Sequence, residues 1–213
     1  VGGDSREAIA AFTGREALEP MRVYVGLRSA ETADERAELA LEELKRIGAF
    51  ERKVMAVVAP TGTGWIDPEA SVTLEYLHGG DTVMVAQQYS YLTSWLSLLI
   101  EPSYGAEAAH ALFRKVYGHW TTLPKDDRPE LYLYGLSLGA LSSEQSTEIY
   151  NILADPFQGA LWAGPPFNSR LWSNFTRDRN PGTPAWLPRL GDGSVVRFTA
   201  QKNSLDIPGA KWG

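Results

Sequence analysis

The chain of 213 residues contains no cysteine, which excludes disulfide bonds, thiolate metal sites and a cysteine nucleophile. This absence leaves the compartment open, because many domains outside the cytoplasm also lack disulfides. No stretch rich in proline, glycine, serine or charge separates two halves of the sequence. A chain of this length can bury one core, so the sequence predicts a single domain over residues 1–213.

Basic residues are few and scattered: 20 Lys and Arg face 26 Asp and Glu, and the formal net charge is −6. Without a clustered basic stripe, neither nucleic acid nor an anionic membrane surface is an expected partner. The longest uncharged run, residues 82–100, is interrupted by Gln, Ser and Thr. It is therefore interpreted as a buried strand, a loop and an apolar helix rather than a membrane span.

Short apolar runs rich in β-branched residues alternate with segments of helical periodicity. The runs cover residues 22–27, 54–59, 82–87, 131–134, 160–163 and 195–199, and the clearest helices are predicted at 33–47 and 105–120. This alternation predicts an α/β fold with a doubly wound, mainly parallel sheet. Residues 165–192 lack clean periodicity and carry many aromatics, which suits either a substrate-facing insertion or aromatic contacts that hold a long loop.

A serine lies between two glycines directly after one of these runs. Gly135 and Gly139 flank Ser137, and a helix is predicted over residues 140–153. This order of strand, turn and helix is typical of a nucleophile elbow, in which glycines permit a tight turn that exposes the serine hydroxyl. An ordinary glycine-flanked turn between strand and helix is the alternative.

Acyl transfer at such a serine requires donors for the developing oxyanion. The backbone N–H of Leu138 is the first candidate, because it follows the serine. Thr61 and Gly62 are candidates for the second donor, since they follow the predicted strand 54–59. A phosphate-binding loop is a weaker interpretation, because Trp65 stands where such a loop continues with lysine. The sequence predicts neither a cofactor nor a metal site.

The partners of a serine nucleophile are not evident. In hydrolases of this kind the order along the chain is serine, acid, histidine, whereas His78, His110 and His119 all precede Ser137. His110 and His119 are interpreted as helix-flank residues and His78 as a loop or capping residue. The downstream acids cannot be ranked from spacing alone: Asp155, Asp178, Asp192 and Asp206. Both chain ends have the character of cut ends, so the acid and histidine are expected beyond Gly213.

Several segments together resemble the serine α/β-hydrolases of actinobacteria whose full-length members carry membrane-spanning helices before a C-terminal hydrolase domain. The matching segments are residues 22–30, 59–68, 74–81, 88–92, 135–139 and 160–166. The resemblance covers most of the chain, from about residue 14 onward. Two departures matter. Leu136 stands where the family has a glutamate, and without the C-terminal segment this chain alone is expected to be inactive.

The resemblance implies an α/β-hydrolase fold lacking its C-terminal part, with Ser137 matching the nucleophile of a Ser-Asp-His triad. It also implies membrane association through segments absent from this chain, and lipid or cell-envelope esters as substrates. Three functions stay open at this point: an ester hydrolase, an acyltransferase on the same nucleophile, and a non-catalytic binding module. Oligomeric state is not predicted.

Overall fold

The computed structural model describes residues 3–93, 96, 103–147 and 155–206. Five strands in these ranges form one sheet, in which every neighbouring pair is parallel. The strands are β1 Met21–Val25, β2 Val54–Ala59, β3 Thr82–Gln87, β4 Glu130–Leu136 and β5 Gly159–Ala163. Their order across the sheet is β1-β3-β2-β4-β5. The predicted α/β class and parallel sheet are confirmed.

Six α-helices connect or flank these strands in the described part of the chain. They are α1 Arg6–Thr13, α2 Ala33–Arg46, α3 Pro68–Leu77, α4 Tyr104–Trp120, α5 Leu138–Gln145 and α6 Arg170–Arg177. The start of α2 is fixed by a capping box, because the Thr32 hydroxyl accepts from Glu35 N–H while the Glu35 carboxylate accepts from Thr32 N–H. Local sequence thus determines where this helix begins.

The central strands β2 and β3 are buried on both faces, and the two faces of the sheet have separate cores. Alternate side chains of each central strand, such as Val57 and Val85, pack with α2 and α4 on one face. Their neighbours, such as Val58 and Ala86, pack on the other face with Leu74 of α3. This two-sided burial explains why β2 is apolar throughout, and the helices on both faces make the fold doubly wound.

The chain divides into two compact units, residues 1–165 and 166–213. The first contains the sheet. The second contains α6, whose Trp172 and Phe175 both pack edge-on against the Phe198 ring within the same unit. The stretch predicted to be irregular therefore includes a short helix, which begins where the Ser169 hydroxyl accepts from Trp172 N–H. The single-domain interpretation stays a prediction.

The strand predicted at residues 195–199 is wrong. No strand forms there, and the Val195 side chain is 92% exposed. Polar side chains of this segment bond to nearby backbone instead: the Arg197 guanidinium donates to Gly193 O and the Thr199 hydroxyl to Lys202 O. Strand propensity is realised only when a neighbouring strand supplies partners, and local side-chain bonds compete with it.

Two other sequence expectations fall partly outside the described residues. These are the apolar helix near residue 100 and the second half of the helix predicted at 140–153. Across the ranges that are described, no helix combines the length and the apolar character needed to cross a bilayer.

Candidate active site

Ser137 occupies the turn between β4 and α5. Its φ of 55° and ψ of −119° make it the one non-glycine residue with positive φ among those described. Such a conformation costs on the order of 1–3 kcal/mol and persists only where the surroundings enforce it. Here Ser137 N–H donates to Ala163 O at the end of β5 (2.9 Å), and its carbonyl accepts from Leu141 N–H (3.3 Å).

The two flanking glycines leave no room for a side chain. A Cβ on Gly135 would lie 2.3 Å from Gly139 O, and a Cβ on Gly139 would lie 2.1 Å from Ala59 O. Both approaches are to backbone atoms, which cannot move aside as a side chain can. The close contact between Gly139 and Ala59 places the start of α5 directly against the end of β2.

The loop after β2 therefore lies beside the first turn of α5. A Cβ on Gly139 would be only 3.1 Å from Pro60 O, the first residue of that loop. Leu138 is the first residue of α5, where backbone N–H groups have no partner within the helix and carry the positive end of its dipole. The predicted donor residues Leu138, Thr61 and Gly62 thus share the carboxyl edge of the sheet with Ser137.

Residues 61–65 form a tight turn closed by backbone bonds. Thr61 N–H donates to Trp65 O (3.0 Å), and Gly64 N–H donates to Thr61 O (2.8 Å). The Thr61 hydroxyl also donates to Trp65 O (3.3 Å). The amide of Thr61 is thus engaged inside the turn, and as an oxyanion donor it would have to exchange or share that bond.

Two side chains outside this turn bind its carbonyl groups. The Tyr24 hydroxyl donates to Gly64 O (2.9 Å), and the Gln88 amide donates to Thr63 O (3.0 Å). Burial, with a smaller contribution from Tyr91, raises the pKa of Tyr24, so its hydroxyl stays protonated and remains a donor. Sequence reasoning missed both residues, because they are 40 and 25 positions from their partners.

A cavity of about 500 Å³ opens at this same edge of the sheet. It lies between the residues that follow β1 and β3 and the first turns of α2 and α4. Its lining is mixed. Five side chains are aromatic or aliphatic, namely Leu27, Tyr89, Tyr91, Leu92 and Tyr104, whereas Glu31, Arg36 and Glu107 are charged. A wider cavity of about 1050 Å³ lies at the opposite edge, among charged residues of α1 and residues 76–81.

Two of the three histidines lie at the edge of the sheet opposite Ser137. His78 is the C-cap of α3, four residues before β3 begins. His119 packs edge-on against Phe50, which precedes β2 (centroids 4.6 Å apart). Burial and the nearby Lys45 lower the pKa of His119. Because the strands are parallel, both histidines are separated from Ser137 by the length of a strand.

His110 lies within α4 and is half-buried. The structure does not bring the three histidines together, and it assigns none of them as the base at Ser137. The expectation that the acid and histidine lie beyond Gly213 stays a prediction.

Three of the four candidate acids after Ser137 have local partners. Asp155 pairs with the Arg128 guanidinium (2.8 Å), which holds the pKa of that carboxyl below its ordinary value. It precedes β5 and so also lies at the edge opposite Ser137. In the second unit Asp178 pairs with Arg177, and Asp192 accepts from Ser194 N–H. Asp206 is exposed.

The described ranges contain no cluster of three or more His, Asp or Glu able to hold a metal ion.

A parallel doubly wound sheet with a strained serine at a strand-to-helix turn defines the class of α/β-hydrolase folds. A family model described as the alpha/beta-hydrolase family matches residues 21–213. The chain belongs to that family. Searches of the curated proteins and of the solved structures found no match.

Proposed function

We propose that this protein is a serine hydrolase that cleaves ester bonds through an acyl-enzyme on Ser137. The observation that carries the proposal is the positive φ of Ser137 between two glycines that tolerate no Cβ. Strain of this kind accumulates at functional positions, where the surrounding fold maintains it. A turn with no chemical role has no need of it.

In the proposed reaction the Ser137 oxygen attacks the ester carbonyl carbon while its proton passes to a general base. The bond between that carbon and the alcohol oxygen then breaks, and the alcohol leaves with a proton. Water hydrolyses the resulting acyl-serine and restores the hydroxyl. Leu138 N–H and a donor from Thr61 or Gly62 stabilise the oxyanion in each tetrahedral intermediate.

Lipid or cell-envelope esters are the proposed substrates, and we propose that the protein works tethered to a membrane. The resemblance to membrane-associated hydrolases supports both statements. Transfer of the acyl group to an acceptor other than water would use the same nucleophile.

A non-catalytic binding module is the second candidate. It is favoured by the position of His78 and His119 at the edge opposite Ser137, where neither can accept its proton.

A fluorophosphonate probe separates the two, because it reacts covalently only with an activated serine. The test uses the full-length protein, with the segment beyond Gly213 in which the acid and histidine are expected. We expect its wild type to be labelled, Ser137→Ala to lose labelling, and the matched control Ser142→Ala, in the same helix, to retain it. Labelling that survives Ser137→Ala would contradict the assignment of the nucleophile. Absence of labelling in the wild-type protein would favour the binding module.

A further inference from the structure

Tyr24 in β1 and Gln88 after β3 both donate hydrogen bonds to the loop after β2, which carries the proposed second oxyanion donor. The Gln88 side chain is held at both ends: its oxygen accepts from Leu27 N–H (3.2 Å), and its nitrogen donates to Thr63 O and Ser90 O (3.0 and 3.1 Å). Gln88 therefore bridges the exits of β1 and β3 to the loop after β2.

These bonds fix the peptide planes of the turn. In a trans peptide the carbonyl of one residue and the N–H of the next point in opposite directions. The Thr63–Gly64 plane is held on both sides, since Thr63 O accepts from Gln88 and Gly64 N–H donates to Thr61 O. The following plane is held by Tyr24 through Gly64 O. The Thr61–Gly62 plane, which carries the Gly62 N–H, is linked to these planes because Thr61 O accepts from Gly64 N–H.

The fit around Gly64 is close. Its φ of +86° suits glycine, and a Cβ at this position would lie 2.2 Å from the Tyr24 hydroxyl and 2.8 Å from Gln88 Cγ. Tyr24 and Gln88 thus occupy the space that any other residue at position 64 would need. The loop, the tyrosine and the glutamine form one packed unit.

We infer that Tyr24 and Gln88 are positioning residues for the oxyanion-binding loop. This role rests on the proposed function of Ser137. Oxyanion donors act in the transition state, and loss of one such donor lowers kcat by about 10²–10³. Loosening the loop while its donors remain should cost less, on the order of tenfold in kcat, with KM unchanged within about twofold.

The test compares Tyr24→Phe and Gln88→Glu with wild-type protein on a p-nitrophenyl ester, with active sites titrated by the fluorophosphonate probe. Phenylalanine keeps the ring and removes the bond to Gly64 O. Glutamate keeps the acceptor for Leu27 N–H but cannot donate to Thr63 O. Tyr117→Phe is the matched control, because its hydroxyl also donates to a backbone carbonyl, Asp155 O, at the opposite edge of the sheet.

We expect both variants to lose kcat by about tenfold and to bind an alkyl boronic acid, which mimics the tetrahedral intermediate, about tenfold more weakly. Tyr117→Phe should match wild type in both measurements. A purely structural role would reduce the titrated fraction of active protein and leave the kcat of the remainder unchanged.

Wild-type labelling combined with kcat values within twofold for Tyr24→Phe and Gln88→Glu would overturn the positioning role and leave Ser137 as nucleophile. An effect on KM in place of kcat would overturn it equally. If the wild-type protein neither labels nor hydrolyses the ester, the proposed function fails, and the positioning role fails with it. If Tyr24→Phe does not fold, Gln88→Glu decides the question.

Discussion

Gly139→Ala should destabilise the protein, although alanine is the better helix former. A Cβ at position 139 would lie 2.1 Å from Ala59 O, whereas ordinary van der Waals contact begins at 3.4 Å. The start of α5 and the end of β2 must therefore separate by about 1.3 Å, the difference between these distances. Because both sides are backbone, no rotamer change can relieve the contact.

The net effect is the difference of two terms. Overpacking at a rigid contact costs up to about 3 kcal/mol. Replacing glycine in a helix returns about 1 kcal/mol. A net loss of about 2 kcal/mol lowers Tm by about 4–8 °C in a chain of this size. A shift of the order of 1 Å between catalytic groups should also slow fluorophosphonate labelling of Ser137 by about 100-fold.

Gly118→Ala is the matched control, because Gly118 lies inside α4 and a Cβ there would meet nothing within 4 Å. It should raise Tm by about 2–4 °C and leave labelling unchanged. Thermal unfolding followed by circular dichroism measures both variants. A Gly139→Ala protein with a Tm equal to or above that of wild type would refute the steric account of the elbow.

Three further perturbations test other parts of the first unit. Glu75→Gln should cost about 3 kcal/mol in urea unfolding, because Glu75 is fully buried and its bidentate partner Arg22 would lose its counter-charge; an unchanged midpoint would contradict this. Thr32→Ala should cost about 1 kcal/mol through loss of the α2 cap, and the same measurement detects it. The pKa of folded His119 is lowered, mainly by burial, so the folded state binds this proton less well than the unfolded state. Its contribution to stability is complete above the ordinary value of 6.5 and is lost as pH falls from that value through the lower pKa of the folded state. Tm between about pH 7.5 and pH 5.5 should therefore fall further in wild type than in His119→Gln, and equal falls would contradict the assignment.

Elements whose determinants are local were predictable from the sequence. The two central strands, Val54–Ala59 and Thr82–Gln87, have the predicted bounds because both of their faces are buried and all their side chains except Gln87 are apolar or small. For helix α2, both the periodic apolar residues that face the core and the Thr32–Glu35 capping box are visible in the sequence. At residues 195–199 the same reasoning failed, since β-branched composition does not reveal whether a partner strand exists.

In the candidate site, too, the features with local determinants could be predicted from the sequence and the others could not. The geometry at Ser137 depends mainly on five consecutive residues, so a short motif predicts it. Outside the motif, the end of β2 at Ala59 and the bond from Ser137 N–H to Ala163 O complete it. The placement of the second donor depends on the strand order β1-β3-β2, which no local pattern shows. Gln88 follows β3, which lies beside β2. Tyr24 belongs to β1, one strand further away, and its hydroxyl reaches Gly64 O because the tyrosine side chain is long. A hydrolase elbow can therefore be identified from sequence, whereas the residues that hold its oxyanion loop require the order of the sheet. For that reason Tyr24→Phe and Gln88→Glu test more of this fold than a substitution within the motif does.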